Sequence, residues 1–164
     1  MQETSVRPAG DIERIMQTYG DMLYRLCLVS LGNISDAEDA VQETMIKYVQ
    51  RMPKFQEEEH EKAWLLRVAS NKCKDIHRFK KRHPIIDMDE MAEVVTGQVE
   101  TDSDIWDALM TLPEKFRIVL ILYYVEECSM EHIAKVIGRT VSAVKMRLQK
   151  GRSLLREAYQ KEGM

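Results

Sequence analysis

Wherever apolar residues gather in this sequence they recur three and four positions apart, and no stretch shows the strict alternation of a half-buried strand. That single regularity restricts the chain to helices packed on helices. From Asp11 to Leu31 the residues Ile12, Ile15, Met16, Tyr19, Met22, Leu23 and Leu26 predict an inward stripe, which Gly32-Asn33 ends. Ser35 then predicts an N-cap, with Asp36, Glu38 and Asp39 in a first turn that suits carboxylates. This second helix buries Ala37, Ala40, Val41, Thr44, Met45 and Tyr48 and ends before Pro53. A third is expected from about His60 to Lys81, with Trp64, Leu65, Val68, Ala69 and Ile76 inward and Pro84 as its stop. Further on, Ser103 predicts the cap of a short helix through Met110, and Pro113 opens another to about Val125. Ser129 caps a helix that Gly138 ends, and Thr140 caps a last one from Val141 to about Lys161. The expected class is all-α.

Composition agrees: among 164 residues there are seven Gly and four Pro but eleven Met, so helix breakers are few and unbranched apolar side chains many. A hydrophobic share of 45% is enough for real cores. Three widely spaced cysteines (Cys27, Cys73, Cys128) argue against a disulfide framework and fit a reducing cytoplasm. Residues 1–11 lack the apolar core of a signal peptide, and the longest apolar run, Ile118 to Val125, is too short to span a bilayer.

The net charge of −3 does not suggest a nucleic-acid partner, but its distribution does. Residues 62–83 hold eight Lys and Arg against one acid, and residues 139–156 hold six against none. Between them, residues 84–107 hold eight acids and no base. The expected organisation is two small helical domains, 11–83 and 102–162, joined by an acidic flexible linker over 84–101, in which residues 88–95 could form a short helix.

Three segments could carry function. The segment from Ser129 to Leu148 (SMEHIAKVIGRTVSAVKMRL) has the punctuation of a helix-turn-helix, whose second helix enters the major groove. On that helix Val144, Leu148, Gly151 and Leu155 share the inward face, while Ser142, Lys145, Met146, Gln149 and Lys150 share the outward one. Basic and amide side chains there can reach phosphates and base edges. A plain helical hairpin with a solvated basic face is the alternative. The segment from Ala63 to Arg78 joins an apolar stripe to a basic one, including Arg67, Lys72, Lys74 and Arg78. Trp64 either stacks on an unpaired base or anchors the core. Finally Asp36, Glu38, Asp39, Gln42 and Glu43 line the outward side of the second helix, as a solvated, dipole-complementing face or as a dock for a basic partner.

Taken in order, Asp36-Ala-Glu-Asp-Ala-Val-Gln-Glu-Thr44, Trp64-Leu-Leu-Arg-Val-Ala-Ser-Asn71, Leu112-Pro-Glu-Lys-Phe-Arg-Ile-Val-Leu120 and the helix-turn-helix resemble the extracytoplasmic-function group of the sigma-70 family over roughly residues 11–159. The resemblance implies a promoter reader that does no chemistry. Its N-terminal domain would bind core RNA polymerase and read and melt the −10 element, and its C-terminal domain would read the −35 element. By position it places Asp36, Glu38, Asp39, Gln42 and Glu43 on the polymerase clamp. It puts Asn71 in a pocket for a flipped −10 base, which residues 55–62 complete. Trp64, Arg67, Lys72, Lys74 and Arg78 would surround that single strand, and Arg139, Thr140, Ser142, Lys145, Met146, Gln149 and Lys150 would serve the −35 duplex. The acidic linker resembles one that threads the RNA exit path. The family also implies an anti-sigma partner, often membrane-bound, acting on a cytoplasmic protein.

Two features depart from the family pattern. Glu57, Glu58, Glu59 and Glu61 crowd the pocket-completing loop with acids, and Ser142-Ala143 and Met146 stand where the recognition helix commonly differs. Met146 can touch a thymine methyl but offers no hydrogen bond.

Other classes find less support. An ordinary duplex-binding regulator would need the terminal motif alone, without the segment from Trp64 to Asn71. Cys73 with His77, and Cys128 with His132, have zinc-ligand types at helical spacing, but no tight knuckle unites four ligands. No phosphate-cradling Gly loop, nucleophile with base, or paired carboxylates in a cleft suggests catalysis. The expectation is therefore no catalytic residue, metal, cofactor or small-molecule substrate.

Overall fold

A computed structural model describes residues 9–51, 53–84 and 103–162. All regular structure among them is helical: α1 (Ala9–Leu31), α2 (Ile34–Arg51), α3 (Glu58–Arg82), α4 (Ser103–Met110), α5 (Glu114–Tyr124), α6 (Met130–Ile137) and α7 (Val141–Glu162). The acidic stretch after Pro84, with the short helix considered for 88–95, lies outside the described residues, as does the side chain of Ser103.

Helices α1, α2 and α3 pack mutually as one unit, and α4 to α7 as another. In the first, Ile15, Leu23, Leu26, Ala40, Tyr48, Leu65 and Ala69 are excluded from water, as their three- and four-residue spacing requires. Met16 is the exception to the predicted stripe, at 42% exposed. It lies at the edge of the stripe, where an unbranched side chain can leave at little cost. Ser35 is not the cap of α2. Asn33 is: its Oδ1 accepts the Asp36 N–H at 2.9 Å and its carbonyl accepts from Ala37.

In the helix-turn-helix of the second unit the predicted punctuation holds atom by atom, whereas Pro113 stands one residue before α5 as its N-cap. The Ser129 hydroxyl accepts from the His132 N–H, Gly138 takes the left-handed conformation at φ 70°, and the Thr140 hydroxyl accepts from the Ala143 N–H. Val144 and Leu148 are fully buried and Gly151 is buried beside them. A Cβ at Gly151 would stand 3.2 Å from the Leu120 side chain, tighter than ordinary contact, so Leu120 of α5 would have to give by a few tenths of an ångström to admit one.

The two units are also packed on each other, α5 against α1 and α6 against α3, and one continuous apolar cluster runs through both.

Candidate nucleic-acid interface

Helix α7 presents Ser142, Lys145, Met146, Gln149 and Lys150 to solvent on one face, opposite Val144 and Leu148. Met146 is the most exposed large apolar side chain described, at 71%, projecting where a helix in a groove would meet base edges. Arg139 is exposed in the turn beside them. Thr140 is exposed too, but its oxygen is committed to the cap, so it sets the direction of α7 before anything else. Arg147, which the sequence reading passed over, is half-buried behind this face, where burial and then the charge of Arg139 push its guanidinium down from the ordinary range.

On α3 the rotation of 100° per residue puts Arg67, Asn71, Lys74 and Arg78 on one side. Arg67, Asn71 and Arg78 are exposed. Lys74 is half-buried and donates to the Ile137 carbonyl at 2.9 Å, closing the C-terminal end of α6. Lys72 does not join this face. It turns about a third of a circle away, into a groove of about 950 Å³ between α2 and α3. Trp64 is half-buried, edge-on to Tyr48 and Phe55 with both ring centroids 6.0 Å away, which places it in an aromatic cluster. The four acids expected in the loop before α3 also separate. Glu57, Glu58 and Glu59 face solvent, whereas Glu61 turns inward, 7% exposed, held by both Arg14 guanidinium nitrogens and the Tyr48 hydroxyl. That hydrogen bond to Glu61 raises the Arg14 pKa. Since α3 begins at Glu58, the loop itself is only residues 53–57.

Of the acidic set on α2, Asp39, Gln42 and Glu43 line the same groove as Lys72. Asp36 lines it too and is ion-paired with Lys80 across it. Glu38 is exposed on another side, near Tyr24 of α1, whose phenol is pushed up by burial and then by that carboxylate.

The cysteine–histidine pairs go separate ways. Cys73 is in the core against Cys27, and the hydrogen bond between the two thiols, then burial, holds Cys27 well above its ordinary pKa. His77 is 3.2 Å from Glu114. Cys128 is buried and its thiol faces the Glu126 carbonyl, while His132 lies in the first turn of α6. Among the described residues no three His, Cys, Asp or Glu come together as metal ligands.

Two features escaped the sequence reading. One is an apolar groove of about 460 Å³ on the second unit, where Ile105, Tyr124, Val125 and Tyr159 are each more than 40% exposed. Its signal was present, because Ile105, Tyr124 and Tyr159 fall off the inward stripes of their helices. The other is the polar seam between the units. Arg25 forms two hydrogen bonds with Glu126, at 2.8 and 3.2 Å. The Ser30 hydroxyl donates to Glu114 at 2.8 Å. Helix α1 has no basic residue in its last turn. Its terminal carbonyls are met from elsewhere: Arg117 donates to Val29 and Ser30, and the His77 ring is 3.0 Å from the Ser30 carbonyl.

Two family models match the chain, Sigma-70 region 2 over residues 15–83 and Sigma-70 region 4 over residues 102–155. The RNA polymerase sigma factor SigV of Bacillus subtilis is 30% identical over 144 residues, with 86% of each chain covered. The extracytoplasmic-function sigma factor SigW of the same organism is 29% identical over 160 residues, covering 87% of this chain and 86% of its own. Among solved structures, the sigma factor RpoE of Bartonella quintana, in complex with the anti-sigma factor NepR, superposes with a TM-score of 0.78 at 22% identity. The match covers 92% of this chain and 97% of that one. CnrH, in complex with the cytosolic domain of CnrY, gives 0.66 at 23% identity over 94% and 91%. This chain belongs to the sigma-70 family, in its extracytoplasmic-function group. It is a transcription-initiation factor and not an enzyme, and no described helix is long and apolar enough to cross a membrane.

Proposed function

We propose that this sigma factor binds core RNA polymerase through the acidic side of α2, reads the −35 duplex with α7, and captures the −10 element as a melted strand on α3. The observation that carries this reading is the alignment of Arg67, Asn71 and Arg78 on one open face of α3, in the same chain as a capped helix-turn-helix. A duplex-reading repressor needs only the latter. Arg67 and Arg78 can follow phosphates while the Asn71 amide meets the edge of an extruded base. Extrusion costs a few kcal/mol, which a fitting base regains. Glu38, Asp39 and Glu43 supply the polymerase-facing acids and Gln42 an amide beside them, with Asp36 shared with Lys80. Residues 11–83 and 102–162 then act as separate readers, with the acidic segment between them running along polymerase. The protein works in the cytoplasm, restrained by an anti-sigma protein. That last step is supported by the two solved relatives, both described in complex, RpoE with an anti-sigma factor and CnrH with a cytosolic domain.

The test is reconstitution with sigma-free core polymerase and a promoter library. Initiation confined to a subset of promoters is the expected result. Tight duplex binding with no initiation would instead mark a regulator of the ordinary kind.

A further inference from the structure

One buried carboxylate ties together all three helices of the first unit. Glu61, in the first turn of α3, is 7% exposed. Its two oxygens accept from the Arg14 guanidinium of α1 at 3.3 and 3.2 Å, and the Tyr48 hydroxyl of α2 donates to one of them at 3.3 Å. Tyr19 of α1 faces the same carboxylate: burial, then the charge of Glu61, pushes its phenol up. Tyr48 is itself fully excluded from water. Its ring stands edge-on to Trp64, and Trp64 stands edge-on to Phe55, so an unbroken run of contacts leads from Glu61 to the loop 53–57. The backbone makes a second link, because the Glu61 N–H donates to the carbonyl of Glu57, the last residue of that loop, at 3.4 Å.

An ion pair of this kind is a poor source of stability. Taking the carboxylate out of water is costly, and the half-exposed Arg14 side chain keeps its charge partly screened. An apolar side chain at position 61 would join the Tyr48–Trp64–Phe55 cluster without that penalty. What the carboxylate supplies instead is direction. Both oxygens are committed, so neither the start of α3 nor the Tyr48 ring can turn without leaving a charge or a hydroxyl unpaired in the core. The part of the molecule fixed in this way bears on Asn71. Positions 64 and 71 differ by two helical turns, within about 20° of rotation, so Trp64 and Asn71 share a side of α3 about 10 Å apart along its axis. Phe55 of the loop lies against the Trp64 end of that side. We infer that Glu61 is a positioning residue for base selection: held by Arg14 and Tyr48, it sets the pose of the loop 53–57 against α3 and thereby which extruded base the −10 pocket accepts. This rests on the promoter reading proposed above and extends it to a residue that touches no DNA.

The experiment uses the full chain, core polymerase and a promoter set in which each −10 position is varied through all four bases. At the extruded position the parent should favour one base by roughly tenfold or more in initiation. Glu61→Gln, nearly isosteric, should bring that ratio down to roughly threefold or less, while preference at the −35 element and affinity for core polymerase stay as in the parent. Arg14→Met cuts the pair from its exposed side and should act in the same direction, which keeps the test open should Glu61→Gln fail to fold. A ratio unchanged in a folded variant overturns the assignment. So does initiation lowered equally on all four bases, which is what a merely stabilising ion pair would give. Acrylamide quenching of Trp64, with Trp106 replaced by Phe, separates the anchoring of the loop from the reading of DNA. Trp64 should be quenched more readily in Glu61→Gln than in the parent. That result beside a parent that selects no base supports the anchoring and removes the −10 reading; unchanged quenching overturns the anchoring whatever the promoters show.

Discussion

At the scale of single residues, Asn71 and His77 lie on the same helix and do opposite things. Asn71 is exposed on the open side of α3, so its amide is available to a ligand. Replacing it with Ala should impair strand opening at the −10 element, read by permanganate reactivity, while binding to core polymerase is unchanged. Equal melting by the variant would take Asn71 out of the base pocket. His77 faces Glu114 of α5, the Ser30 hydroxyl and carbonyl of α1, and Cys73 one turn back, with Arg117 beside Glu114. The hydrogen bond to Glu114 raises the imidazole pKa against the opposing effect of burial. For Glu114, burial favours the neutral form, but the bonds from His77 and Ser30 outweigh it and leave the carboxyl below its ordinary value. The histidine's contribution is therefore complete below the ordinary imidazole pKa and lost as pH rises through the raised one. The carboxylate's is complete above its ordinary value and lost as pH falls through the lowered one. The contact between the two units should be firmest at about pH 5 to 6.5 and loosen on further alkalinisation. Scattering across a pH series checks this, and His77→Gln should flatten the dependence on the alkaline side.

At the scale of helices and turns, Gly138 and Lys150 test the reader itself. Gly138 stands at φ 70° with nothing within 4 Å of where a Cβ would be. Gly138→Ala should therefore cost about 1 kcal/mol through backbone conformation alone, visible as a lower melting temperature with no local repacking. Lys150→Ala should weaken duplex binding in all sequences and lower the salt slope by about one ion; an unaltered slope would exclude a phosphate contact. The helices and most of their caps were legible in the sequence because each is a local matter. Ser129, Gly138 and Thr140 need only their neighbours within four residues. The start of α2 was misplaced for the same local reason: Ser35 and Asn33 are both good caps, and only the path of the chain out of Gly32 decides between them. The basic residues of α3 do not all stay on its open face, since a run of Lys and Arg does not say which of them a neighbouring helix claims. Lys72 went to the α2 groove and Lys74 to α6. Glu61 is the clearest case. A fourth acid in an acidic run looks like surface until Arg14, 47 positions away, arrives to pair with it.

At the scale of the whole molecule, nothing in the order of residues announced that the two halves would meet. Arg25, Ser30, Glu126 and Lys62 are unremarkable within their own helices, and their partners lie 64 to 101 positions distant along the chain. Sequence periodicity reports which face of a helix is apolar, not which of two packed bundles will cover its end. The four recognisable motifs could thus be placed in order without revealing that their surfaces adjoin.

The end of α1 shows what that dependence means during synthesis. Its carbonyls at Val29 and Ser30 are satisfied by a guanidinium nearly ninety positions downstream. While the ribosome is still building the middle of the protein, the Val29 oxygen has only water and the Ser30 oxygen only His77, and the first three helices must wait with one terminus unfinished. A fragment ending at Pro84 should accordingly show its fastest helical amide exchange in the last turn of α1, and the intact chain should not.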